Sequence, residues 1–114
     1  WCCSCFYVYL KEKNILAFSS EKNTKHIRQA SANQKVSGTI VLETSIIGKI
    51  QGIQFSGIIR EAETEMLAEV RREYLKRFPY AILTKTELWT IDIDYIKFTD
   101  NRLGFGKKLI WTKE

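Results

Sequence analysis

The residues best equipped for chemistry lie in the stretch FSSEKNTKHIRQ, positions 18–29. A strand-like run ends there in two hydroxyls, Ser19 and Ser20, and the following loop adds Lys22. A short helix is expected to open at Asn23 or Thr24, with Lys25 and His26 in its first turn. The first N–H groups of a helix have no partner within it and attract anions. Hydroxyls and a lysine add donors and charge, so phosphate binding is the chemistry to expect. Cations are normally disfavoured at a helix N-terminus, and a bound phosphate would repair that anomaly. The plain alternative is a capped, solvated helix start.

Other stretches offer less. DNRLGFGKKLIW, positions 100–111, has two glycines and a lysine pair. A P-loop would need a glycine where Asn101 stands and Ser or Thr where Lys108 stands. A dinucleotide fingerprint would need its third glycine at Leu109. Both motifs open a helix, whereas Leu109, Ile110, Trp111 and Thr112 are strand formers, so a turn between strands is expected.

Cys2, Cys3 and Cys5 crowd the start, in WCCSC. Cys2 and Cys5 make a C-x-x-C pair, but a zinc site needs two more ligands, and only Cys3 and His26 remain. On a strand, Cys3 and Cys5 would share a face. Small core residues are the commoner use of such cysteines, and no metal site is expected. Asp92 and Asp94 share a strand face and read as a solvated edge, without anything to desolvate them for acid–base work. With one histidine and no catalytic set argued from spacing, hard chemistry would have to come from a cofactor.

At 114 residues the chain is expected to form one domain with a single core. Its 45% hydrophobic and 27% charged content is ordinary for a globular protein. No run approaches the ~18 apolar residues of a membrane span. The net charge of +5 favours anionic partners without choosing among them. Unpaired thiols fit a reducing cytoplasm. The chain opens at Trp1 inside a strand-like run, so an N-terminal piece is expected to be missing.

The elements follow from periodicity. Strands are expected at 4–10, 15–20, 35–43, 49–62, 87–100 and 107–113, and helices at 23–33 and 64–78. Gly38 marks a bulge or a close approach, and Gly52 and Gly57 mark bends. Met66, Leu67, Val70, Tyr74 and Leu75 form the stripe of the long helix, which Pro79 ends. A phase shift near 96–98 suggests a bulge. The fold class is mainly β (α+β): an antiparallel split β-barrel of about six strands with one short and one long helix.

This order of elements resembles the FMN-binding split barrel of the pyridoxamine 5′-phosphate oxidase superfamily. The motifs RFP and W-x-I-x-x-D-x-I-K-F-T-D-N-x-L-G-F-G-K-K-x-I-W are similar to its bacterial YhbP-type branch, over nearly the whole chain. The resemblance implies a homodimer with FMN in a cleft between subunits, and a helix and strand ahead of Trp1. It implies flavin contacts along Ser4, Cys5 and Phe6, at Ser19 and Ser20, and near Gln51 and Gly52, with Gln54 a neighbour. It implies a phosphate grip at Thr24, Lys25 and His26, with Lys107 and Trp111 near the cleft.

Two departures stand out. Ser4 replaces an arginine of the oxidases and His26 replaces a cation of their grip. Their C-terminal substrate segment has no counterpart, which argues against pyridoxamine phosphate oxidation. The implied activity is that of a flavin-dependent oxidoreductase or flavin reductase. The rival readings are a non-catalytic small-ligand or haem-binding barrel, and a basic nucleic-acid-binding barrel. The last is disfavoured because the positive clusters lie on separate elements.

Overall fold

The computed structural model describes residues 1–83 and 86–113. Six strands form one antiparallel sheet: β1 (Tyr7–Leu10), β2 (Ile15–Ser20), β3 (Lys35–Val41), β4 (Gln51–Glu61), β5 (Glu87–Asp100) and β6 (Lys108–Thr112). Their order is β1-β2-β5-β4-β3, with β6 also paired to β5. Two helices accompany them, α1 (Lys25–Ala32) and α2 (Thr64–Arg77). The expected α+β class, with six strands and one short and one long helix, is borne out. Among the described residues, no helix is long and apolar enough to cross a membrane.

The chain divides into two compact units that alternate along the sequence. The first comprises Trp1–Lys35 and Ile58–Asp92, the second Val36–Gly57 and Ile93–Glu114.

In the first unit β1 and β2 form a hairpin, with Val8 opposite Ala17 and Leu10 opposite Ile15. Asn14 closes it at φ 54°, a left-handed conformation that asparagine tolerates better than most residues. Its side-chain oxygen also accepts a hydrogen bond from the Tyr9 hydroxyl at 2.6 Å. β2 then pairs with β5 without a break, from Ile15 opposite Asp92 to Ser20 opposite Glu87. Leu16, Ala17 and Phe18 are buried consecutively, so both faces of β2 are covered. Helix α2 closes one face by packing Val70 and Tyr74 against Val8, Leu10, Ala17 and Leu88. Val70 is fully buried, and burial of a side chain of its size contributes roughly 1.5–3 kcal/mol. The charges of α2 follow its dipole, with Glu65 in the first turn and Lys76 and Arg77 in the last. Arg77 also lies over the rings of Tyr7 and Phe78, 4.7 and 5.3 Å from their centroids.

In the second unit Gly38 and Gly52 mark close approaches. A Cβ at Gly38 would meet the Phe55 ring, and one at Gly52 would lie 3.1 Å from Val41 Cγ1. The pairing of β5 with β6 runs continuously from Tyr95 opposite Thr112 to Thr99 opposite Lys108. The bulge expected at 96–98 is therefore absent on that side. Its apparent phase shift came from composition, whereas the ladder is set by pairing. The strand expected at 4–10 also begins later, at Tyr7, because Tyr7 opposite Phe18 is the first rung of its ladder.

Candidate functional site

At the end of β2 the chain gathers the groups expected to meet an anion. Ser20 is buried. Its Oγ lies 2.7 Å from His26 Nε2, and Thr24 Oγ1 lies 3.4 Å from the same nitrogen. The two hydroxyls are 3.5 Å apart. β2 supplies Ser20, the loop supplies Thr24, and the first turn of α1 supplies His26. What holds Ser20 in place is Trp89, whose Nε1–H donates to the Ser20 carbonyl at 3.0 Å. Ile27 and Ala30, both buried, fix the rotation of α1 and so aim His26 back at β2.

Thr24 is the N-cap residue of α1, but its side chain makes no cap hydrogen bond to the helix. Its hydroxyl donates instead to the Glu21 carbonyl at 2.9 Å. The first-turn N–H groups therefore receive nothing from the usual capping side chain, and the turn carries no acidic residue. Lys25 is exposed, with its ammonium 3.9 Å from the centroid of the Trp1 ring. Lys22 is engaged elsewhere, in an exposed ion pair with Glu61 at 3.3 Å. Ser19 bonds its hydroxyl to that of Thr86.

Ser4, Cys5 and Phe6 lie ahead of β1 and are exposed, so they enter as irregular chain rather than as a strand. Phe6 packs its ring against Phe78 with centroids 5.5 Å apart. Cys3 and Cys5 place their sulfurs 3.5 Å apart. Burial local to the sulfur pushes the Cys5 thiol up to about 12, and a hydrogen bond and the charge of Cys3 act the same way. The ligand atoms of Cys3, Cys5 and His26 all lie within 4.8 Å of one another. The sequence offers Cys3 and His26 as the remaining candidates beside the Cys2 and Cys5 pair, with no metal site expected; the fold brings Cys3, Cys5 and His26 together, without Cys2.

The other expected site residues belong to the second unit. Gln51 and Gly52 are half-buried at the start of β4, and Gln54 is exposed. Packing against Val41 already accounts for a glycine at position 52. Lys107 and Trp111 are exposed, one before β6 and one within it. Asp94, expected at a solvated edge, is half-buried and accepts a 2.6 Å hydrogen bond from Ser56 Oγ.

The DNRLGFG segment is a self-bonded turn. Asn101 Oδ1 accepts from the Gly106 N–H, the Asn101 carbonyl accepts from Gly104, and the Gly104 carbonyl accepts from Lys107. A phosphate loop needs those N–H groups free. Gly104 and Gly106 sit at φ 135° and 72°, so the turn itself calls for glycine.

A UPF0306 protein of Photorhabdus laumondii is 40% identical over 113 residues, covering 99% of this chain and 79% of its own length. The chain belongs to the UPF0306 family. A second UPF0306 relative, YhbP of Salmonella schwarzengrund, is 38% identical over the full chain and 78% of its own length. The YhbP resemblance carried by the IKFTDN and LGFGKK motifs is thus borne out at the family level. No family model matches the chain. Among solved structures, a haem-binding protein from Mycobacterium smegmatis superimposes with a TM-score of 0.79 at 16% identity. The match covers 95% of this chain and 45% of that protein. At that identity the likeness carries the fold, and it agrees with the split-barrel class.

Proposed function

We propose that this UPF0306 protein binds FMN, with the phosphate at the start of α1. The observation that carries the reading is the convergence of Ser20 Oγ, Thr24 Oγ1 and His26 Nε2 beside first-turn N–H groups that Thr24 leaves uncapped. Lys25 supplies the charge, and charge-assisted hydrogen bonds to phosphate are about twice as strong as neutral ones. When bound, the flavin would supply the redox chemistry of an oxidoreductase or flavin reductase, and the protein would bind and orient it. Exposed Trp1, Phe6 and Tyr9 in the first unit, and Phe105, Ile110 and Trp111 in the second, support assembly into a homodimer.

Haem is the second reading, supported by the likeness to a haem-binding protein and by His26 beside the end of β2. Titration of the purified protein with FMN, riboflavin and haemin, followed by visible absorption, separates the two. Tight FMN with weak riboflavin supports the phosphate assignment. A Soret band shifted on binding and abolished in His26→Ala supports haem. Equal affinity for FMN and riboflavin would remove the phosphate assignment, and binding of none of the three would favour a non-catalytic module.

A further inference from the structure

We infer that Cys3, Cys5 and His26 form a binding site for one thiophilic d¹⁰ cation, Zn²⁺ or Cu⁺. Thiolate and imidazole donors are the set that selects these ions over magnesium or calcium. A tetrahedral zinc with Zn–S bonds of about 2.3 Å holds two sulfurs ~3.8 Å apart. The Cys3 and Cys5 sulfurs stand 3.5 Å apart, already near that edge length. All three donor atoms lie within 4.8 Å of one another, so only small side-chain rotations separate this arrangement from a coordination sphere.

Two further features make the cluster a site rather than a chance proximity. Both cysteines are free and lie in exposed residues; the Cys5 sulfur is partly covered, but Cys3 beside it is open to an arriving ion. The imidazole is already oriented, since Ser20 Oγ holds Nε2 at 2.7 Å and α1 fixes the backbone. A partner that orients the ring of a ligating histidine raises affinity. Three protein donors leave the fourth position of a tetrahedral ion open. The spacing used is C-x-C, and Cys2 stands outside the cluster.

The site shares His26 with the flavin reading but does not rest on it, because the two sulfurs play no part in holding phosphate. The test titrates reduced, metal-free protein with Co²⁺ as a spectroscopic substitute for Zn²⁺, and separately measures Cu⁺ uptake against a colorimetric chelator. A thiolate-to-cobalt band saturating at a single equivalent and displaced by Zn²⁺ is the expected result for zinc. Chelator competition without a cobalt band assigns the site to Cu⁺. Cys3→Ser and Cys5→Ser should each cost more than the ~10- to 100-fold that loss of even an outer partner costs. Cys2→Ser should leave the titration unchanged, and all three variants should melt as the wild type does. No uptake of either ion at micromolar protein would overturn the inference, as would a Cys2→Ser loss equal to that of Cys5→Ser.

Discussion

A Cβ placed on Gly38 would lie 2.6 Å from Cζ of Phe55, closer than real atoms approach. The ring is buried and its tip rests on the bare backbone of β3. Gly38→Ala must displace the ring, and overpacking of this kind costs ~1–3 kcal/mol. Phe55→Leu in the same chain removes the obstructing tip. Chemical denaturation of the two single variants and the double variant should give a double-mutant cost well below the sum. Strict additivity would show that the ring and the glycine do not meet.

Lys25→Ala should weaken FMN binding by roughly 10- to 100-fold, the worth of a hydrogen bond to a charged group. Riboflavin lacks the phosphate and should be nearly indifferent. Paired fluorescence-quenching titrations read both. Comparable losses for the two ligands would place Lys25 against the ring instead.

Asp100 is buried beneath Arg102, whose Nε and Nη2 donate to its carboxylate at 3.0 and 2.9 Å, while the Arg102 N–H donates at 3.0 Å. The side-chain hydrogen bond from Arg102 holds the carboxyl below its usual range, against desolvation that acts the other way. A depressed folded value means stability that is present above the unfolded pKa of about 4 and is lost as pH falls through the folded value. Urea-unfolding midpoints should therefore decline from that value downward in acid. Arg102→Ala should lower the midpoint near neutrality and flatten this acid limb. An unchanged limb would mean that other carboxyls set it.

The Cys5 thiol, pushed up to about 12, should alkylate slowly near neutral pH, because the thiolate is the nucleophile. Cys3→Ser replaces the sulfur whose hydrogen bond helps to raise Cys5, so Cys5 labelling by iodoacetamide should speed up. Site-resolved mass spectrometry of timed samples measures it. A slower reaction in the variant would contradict the stated causes.

Elements whose signal is local were legible from composition and period alone. Strands β2 and β5 fall at 15–20 and 87–100, as alternation and aromatic or β-branched content required. α2 ends one residue before its expected limit, ahead of Pro79. What failed depended on partners distant in sequence. Residues 4–6 look like strand but have no rung to join. Asp94 looked solvated because Ser56, which bonds it, lies 38 positions away. The Ser20–Thr24–His26 cluster, proposed to hold an anion, was legible as a run of donors, since the three are near in sequence. The sulfur–imidazole cluster was not, because Cys5 and His26 meet only once β2 and α1 are in place.

The interleaving of the two units bears on how the chain is made. Each unit joins two separated stretches, so neither can close until its second stretch has been synthesised. The β1–β2 hairpin leaves the ribosome before the β5 segment that pairs with β2, Glu87–Asp92, which follows only after α2. At about 5–20 residues per second that interval lasts seconds. Throughout it, Leu16, Ala17 and Phe18 lack β5 as a pairing partner, and an unpaired apolar strand edge of this kind is prone to associate with other chains.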